Sequence, residues 1–392
     1  MITPGYSITG TERILPALAL DFTTASLDPR VTFSRTLNTA TRVNSSGYIE
    51  TVLANAPRFD YNPTTLTCRG LLIEQGATNL LPYSEQINNS IWDGFDVPFT
   101  VTSDAATAPD NTQTADLGQV RSTNLQRAQL STVVVGSSYT ASVYVKRAPT
   151  NSATHFRLTT FNTSAWNTGA STKIALTNSW QRVTASWTQV SVTGVYTVLG
   201  AYNVSGGTDA DCYGDVLIWG AQTELGSVAT SYIPTVATSV TRNADNASVA
   251  LSQFPYNASE GAVSIRYSPT ILGFRTAFSL TDGGFINRIQ SLANNPDYQL
   301  YVETGSGAAN LYAGDIVVNT DTNIVGTYKA NSFAAALNAA TPVTASSGGI
   351  PTVTTLYIGR LNSVDYLNGR IQKLFYWPQR IVNAEVQAFS KI

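Results

Sequence analysis

An all-β chain is predicted by three observations on these 392 residues. Charged residues make up only 12%, about half the usual ~25%, while Thr, Ser, Asn, Gly, Val and Tyr are abundant. Branched and aromatic side chains favour pleated strands, and Asn, Gly, Ser and Pro supply the turns between them. Several eight-residue runs alternate apolar and polar side chains, the period of a half-buried strand. The single good helical start lies near the end of the chain. A length of 392 residues exceeds one ordinary core, so two or three domains are expected. The reading is two antiparallel β-sandwiches preceded by a short strand-rich N-terminal segment.

The first segment, residues 1–85, alternates short apolar runs with Asp-Pro, Asn-Ser-Ser-Gly and Asn-Pro turns, which predicts strands near residues 21–24, 30–34 and 47–52. A few strands rarely bury enough surface to stand alone. This lead-in is therefore expected to pair with the sheet edge of another subunit, and deleting residues 1–80 to leave two soluble sandwiches.

The second segment, residues 86–235, carries the clearest strand patterns. Over residues 139–146, Tyr139, Ala141, Val143 and Val145 share one face, and Thr140, Ser142, Tyr144 and Lys146 the other. Residues 180–187 repeat the logic with Val183, Ala185 and Trp187 facing inward. Residues 195–202 and 212–219 add two more strands. The polar stretch 234–245 reads as an extended linker into the third segment, placed at 236–392. Strands are expected there at 260–267, 356–360 and 367–378, with Asn368-Gly369 as a two-residue hairpin turn. Asn383 is expected to cap a short terminal helix whose Val386 and Phe389 share a face.

Several separated motifs, in order, resemble a known family. Residues 18–22 (Leu-Ala-Leu-Asp-Phe), 28–33 (Asp-Pro-Arg-Val-Thr-Phe), 56–61 (Ala-Pro-Arg-Phe-Asp-Tyr), 69–74 (Arg-Gly-Leu-Leu-Ile-Glu) and 78–84 (Thr-Asn-Leu-Leu-Pro-Tyr-Ser) are similar to the opening of bacteriophage tail-fibre-like virion structural proteins. In that family the lead-in precedes a carbohydrate-binding-module-type jelly roll and a concanavalin-like, laminin-G-type domain. Residues 214–224 (Gly-Asp-Val-Leu-Ile-Trp-Gly-Ala-Gln-Thr-Glu) and 231–235 (Ser-Tyr-Ile-Pro-Thr) resemble the closing strand and exit turn of the jelly roll. The region from Ile358 to the terminal helix resembles the end of the concanavalin-like sandwich.

The resemblance implies a virion component assembled in the host cytoplasm, a homo-oligomer (trimers are usual among phage fibres) that joins other virion proteins through the N-terminal segment and touches host surface glycans. The chain has no heptad or fibrous repeat to build a shaft, which suits a tip, adaptor or knob.

Composition narrows the chemistry. Lys and Arg total 23 against 25 Asp and Glu, a net charge of −2, without basic clusters, which disfavours nucleic-acid binding. No apolar run approaches the roughly 18 residues of a membrane span. Cys68 and Cys212 read as free thiols, and one histidine, His155, leaves no zinc set. Retaining glycoside hydrolysis needs two carboxyl groups about 5 Å apart, and Glu260, Glu303 and Glu385 are isolated. No Gly-x-Ser-x-Gly elbow accompanies His155, so an enzyme is not expected.

Asp209, Asp211 and Asp215 are weak candidates for a structural calcium, and otherwise form a solvated turn. Sugar binding requires aromatic faces bordered by hydrogen-bonding side chains. Trp166, Tyr144 and Tyr202 are the candidate platforms, with Arg157 and Asn167 as polar partners, although most aromatics in two sandwiches serve the cores. The leading expectation is a non-enzymatic tail fibre, spike or receptor-binding component. The alternatives are a head- or tail-attached decoration protein of purely structural role and, behind it, a polysaccharide depolymerase.

Overall fold

A computed structural model describes residues 15–92, 100–121, 126–130, 133–162, 165–190, 194–202, 207–294 and 296–391. The fold is all-β, built of antiparallel sheets, with one α-helix, Asn383–Phe389, among the described residues.

The alternating runs of the second segment become one sandwich. Its five-stranded sheet runs Gln181–Thr188, Ser138–Arg147, Gly214–Leu225, Ala115–Val120, Thr100–Ala106, and its four-stranded sheet runs Gln126–Leu130, Val195–Gly200, His155–Asn162, Ala165–Ala175. Val143, Val145, Val183 and Ile218 from one sheet meet Phe156, Leu158 and Leu199 from the other. The period-two pattern thus points each set inward, where burial removes apolar surface from water.

The other sandwich pairs an eight-stranded sheet with a seven-stranded one. Strand Gly369–Trp377 is central to the first, flanked by Glu260–Pro269 on one side and by Cys68–Ile73 and Leu18–Asp21 on the other. Phe59–Tyr61 continues that sheet, and Thr32–Ser34 pairs with Asn246–Ala250 at an edge of the second. Leu18, Leu20, Phe22, Leu71 and Ile73 lie in the common core with Ile265, Leu280, Leu300, Ile358 and Leu374.

The lead-in, expected to pair with a neighbour's sheet edge, finds partners within the chain: three of these four strands pair across the division expected at residue 85, and Phe59–Tyr61 pairs with Cys68–Ile73. The reason is apolar continuity, since the inward residues of the lead-in fill a core that the C-terminal strands leave open. Gly70 records how close the backbones come, because a Cβ there would lie 2.1 Å from the Ile371 carbonyl oxygen at a φ of +101°.

Two further expectations change. Asn368 adopts a left-handed φ of +45° but does not turn a hairpin. The strands on either side of it, Thr355–Ile358 and Gly369–Trp377, belong to different sheets, and its Oδ1 accepts from the Gln75 N–H at 2.8 Å. The helix begins one residue earlier than expected: Val382 is the N-cap, its N–H donating to Glu385 Oε2 at 3.0 Å, while Asn383 Oδ1 accepts from Arg380. Val386 and Phe389 do face inward, and Phe389 stacks on Trp377 with ring centres 5.2 Å apart.

The linker and lead-in meet in a buried ionic network. Arg35, Arg58 and Arg242 are fully buried, with Glu74 and Asp245. Arg58 binds both Asp245 and Glu74 (2.8 Å to the latter), Arg35 reaches Asp245 at 2.9 Å, and Arg242 approaches Glu74 at 3.5 Å. Backbone carbonyls of Thr41, Leu53 and Gln75 each accept from a further guanidinium N–H, and Ser231 from the first sandwich donates twice to Glu74. Burial opposes the Glu74 charge, yet Arg242, Arg58 and the Ser231 bonds outweigh it and hold its carboxyl below the usual carboxylate range.

Beside the network, Asn79 uses its whole amide: Oδ1 accepts from Leu81 and Thr223, and Nδ2 donates to Ala221 and Ile233. Thr235 Oγ1 donates to the Leu81 carbonyl at 2.6 Å and Tyr232 to Glu85 at 2.8 Å.

Removing one partner from a buried pair leaves an uncompensated charge and costs about 3–5 kcal/mol. Glu74→Gln is expected to destabilise the protein by about that amount at pH 7, measured by chemical denaturation. Because the folded Glu74 titrates below its unfolded value, its stabilisation is complete above roughly pH 5 and disappears as pH falls through the folded value. The wild-type melting temperature should fall in acid, and the Glu74→Gln variant should show a shallower fall. Deleting residues 1–80 is expected to unfold or aggregate the C-terminal sandwich, because Leu18, Leu20, Leu71 and Ile73 leave its core. A soluble truncation with native near-ultraviolet dichroism would contradict that account.

Candidate functional site

The strand His155–Asn162 alternates its side chains between the core and the outer face of the four-stranded sheet. Phe156 and Leu158 go inward. Arg157, Thr159 and Phe161 go outward and stand opposite Lys173, Ser171 and Gly169 of the neighbouring strand and Gly200, Val198 and Tyr196 of the other. Just past Val195–Gly200, Tyr202 lies against this face: Thr159 Oγ1 donates to the Tyr202 carbonyl at 2.6 Å, and Tyr202 pairs with Thr208. Thr159, Phe161 and Val198 are buried beneath it, and Tyr196 and Tyr202 remain half-exposed, with ring centres 5.3 and 5.6 Å from Phe161.

At the other end of the face the groups are charged. Arg157 Nε donates to Asp209 Oδ2 at 2.8 Å and Nη1 to Ser171 Oγ at 2.7 Å. Lys173 lies 2.6 Å from Asp211 and 3.6 Å from Asp209, and His155 Nδ1 is 3.2 Å from Asp211. The hydrogen bond from Lys173 holds the Asp211 carboxyl below its ordinary range, and the same bond raises Lys173. The face therefore joins an aromatic end to an exposed polar end, the two requirements of a sugar surface.

Of the residues expected at a glycan site, Arg157 and Tyr202 come together here. The strand Ala165–Ala175 carries Trp166 and Asn167 beside them, but their side chains lie outside the described residues. Tyr144 does not join them. It belongs to the five-stranded sheet, where Arg182 covers its ring at 5.3 Å and Trp219 and Tyr232 pack edge-on at 5.6 and 6.4 Å. An outward position in an alternating strand is half-buried because the lead-in and the exit turn pack against that sheet.

The calcium candidates also divide. Ligand atoms of Asp209 and Asp211 lie within 4.8 Å of each other and of Cys212 Sγ, whereas Asp215 lies in the strand Gly214–Leu225, buried, facing Arg121 at 3.4 Å. A hard cation takes six to eight oxygens. Here Arg157 and Lys173 already neutralise the two carboxylates, and the third group is a thiol that burial pushes up to about 12. This donor set does not fit calcium.

Lys173, Ser171 and Tyr196 were missed from the sequence. Strand alternation places Tyr196 outward, but the register that sets Lys173 opposite Arg157 is a tertiary fact.

No family model matches the sequence, and no curated protein matches it. Solved structures share local similarity with it. The sialidase CBM40 of Ruminococcus gnavus bound to α2,3-sialyllactose is 14% identical, covering 34% of this chain and 84% of its own, with a TM-score of 0.30. Domain 4 of the Geobacillus stearothermophilus arabinanase AbnA, in complex with arabinotriose, is 12% identical over 38% of this chain and 73% of its own, TM-score 0.31. The heptameric SAP-like pentraxin of Limulus polyphemus is 14% identical over 34% and 70%, TM-score 0.26. Scores of this size leave the architecture to be read from the chain's own sheets.

Proposed function

We propose that this chain is a non-catalytic, glycan-binding component of a bacteriophage particle, a tail fibre or spike, whose sugar face is the outer surface of the four-stranded sheet. The observation that carries the binding reading is the partly buried Arg157, Lys173, Asp209 and Asp211 network set beside Tyr196 and Tyr202 on one face. Planar guanidinium and carboxylate groups match sugar hydroxyls, and tyrosine rings accept the CH face of a pyranose. The virion assignment is supported by the ordered motifs of residues 18–84 and 214–235.

On this face the charges disfavour catalysis: a retaining glycosidase needs one of its two carboxyls held protonated, whereas the hydrogen bond from Lys173 lowers Asp211. A decoration protein of structural role is the second reading, favoured by the lead-in strands that are consumed within the chain. Trimeric assembly and attachment through other virion proteins follow the motif resemblance.

The test is a glycan array of host polysaccharides with intact protein. Micromolar binding that falls at least about tenfold in Arg157→Ala and Tyr202→Ala, the size of a lost charge-assisted hydrogen bond or ring contact, is the expected outcome. Silence across the host glycans would leave the structural reading in its place. Incubation with capsule or lipopolysaccharide should release no oligosaccharide. Because Arg157 and Lys173 occupy the carboxylates, chelator should leave the melting temperature unchanged, and a drop of several degrees would reinstate a structural cation.

A further inference from the structure

A sheet edge presents a row of backbone N–H and C=O groups without partners, and folded chains guard such edges with short strands, charges or bulges. All but one of the edges among the described residues are guarded in this way. Leu18–Asp21, Thr32–Ser34, Phe59–Tyr61 and Val343–Ala345 have three or four residues each, as do the strands of the two small two-stranded sheets. Of the longer edge strands, Gln126–Leu130 contains Arg127, Ala165–Ala175 contains Lys173 and Gln181–Thr188 contains Arg182. Thr100–Ala106 is broken by a register shift, with Asp104 at a φ of +52°. The exception is Gly307–Asp315, the last strand of the seven-stranded sheet. It runs for nine residues without Lys, Arg or Pro, and its one charge, Asp315, stands at its end. One side pairs with Asp297–Thr304, and among the described residues no hydrogen bond reaches the other side of residues 308–314.

We infer that this edge pairs with the same edge of a second copy of the chain, antiparallel, about a two-fold axis through Leu311. The strand is self-complementary in that register. Ala309, Leu311 and Ala313 are buried toward the core, while Ala308, Asn310, Tyr312 and Gly314 are exposed. Centred on Leu311, Ala309 of one copy meets Ala313 of the other and Asn310 meets Tyr312, so each face of the sheet continues across the contact. Tyr312, 54% exposed in the single chain, gains a neighbour for its ring. Asp315 lies opposite Gly307, and no two carboxylates face each other. A slip of one residue would set buried positions against exposed ones. A slip of two would either place Asp315 opposite Ala309 or leave Gly314 and Asp315 unpaired. The contact is isologous and closes at two copies, so a trimer formed through another surface would be joined by it into a hexamer.

The experiment is sedimentation velocity of the full chain at micromolar concentration, beside the double variant Asn310→Lys/Tyr312→Lys. The wild type should hold an even number of chains, two, or six where a three-fold contact forms as well. Both substituted positions are exposed, and lysines of the two copies would stand opposite each other, so the mass should halve. Disulfide trapping reads the register. Asn310→Cys and Tyr312→Cys chains, mixed and oxidised, should form a covalent heterodimer, because opposed Cα atoms lie about 4.5–5.5 Å apart, within disulfide reach. Each variant alone would bring its cysteines together only diagonally, at about 7–8 Å, and should stay uncross-linked. The wild type, with Cys68 and Cys212, is the control. An odd number of chains (a monomer included), an unchanged mass in the lysine variant, or equal cross-linking of mixed and single variants would overturn the inference.

Discussion

Three guanidinium groups and two carboxylates, all buried, sit where the lead-in, the linker and the exit of the first sandwich converge. A charge removed from water loses several kcal/mol of hydration even after relaxation, so such a group persists only where partners are fixed around it. Those partners come from six separate stretches of chain, at residues 35, 41–58, 74–75, 231, 242 and 245. Misplacing any one of them strands a charge in the interior. The network is a poor source of net stability compared with an apolar core, and a strong source of discrimination against misassembled arrangements of the same strands.

This changes the meaning of the motifs that first distinguish the sequence. Arg58, Glu74 and Asn79 lie in three of the lead-in motifs, and Gln222, Ser231, Tyr232 and Thr235 in the two that close the first sandwich. Each of them hydrogen-bonds to a residue of another of these motifs. None lies on the sugar face. The segments most recognisable in the sequence are thus recognisable for a structural reason, and they speak to how the chain is tied together rather than to what it binds.

The strands of the first sandwich were legible because period-two alternation over residues 139–146 and 180–187 reports a face directly. The lead-in was legible as strands but not as part of a distant sheet, since pairing of Leu18 with Tyr376 leaves no local trace. At the candidate site, residue type pointed to Arg157 and Tyr202, while the ion pairs that define their surroundings depend on cross-strand register and on a loop that folds back. Tyr144 shows the opposite failure: its alternation was read properly, and a third layer of chain covered the face that alternation left open.

The pairing of Leu18–Asp21 with Gly369–Trp377 carries a consequence for biosynthesis. One sandwich is made entirely from a continuous stretch of chain and has its partners as soon as that stretch leaves the ribosome. The other also needs strands that precede that stretch: Leu18–Asp21 and the outer edge of the Phe59–Tyr61 and Cys68–Ile73 pair must wait for Gly369–Trp377 through the translation of about three hundred further residues, and Thr32–Ser34 for Asn246–Ala250. Contacts of such long range slow folding and expose sheet edges to the wrong partners. The waiting strands are short, with three to six residues each, and short edges are the ones least able to template aggregation. The order of synthesis thereby adds a selective pressure on the lead-in that the finished fold does not reveal.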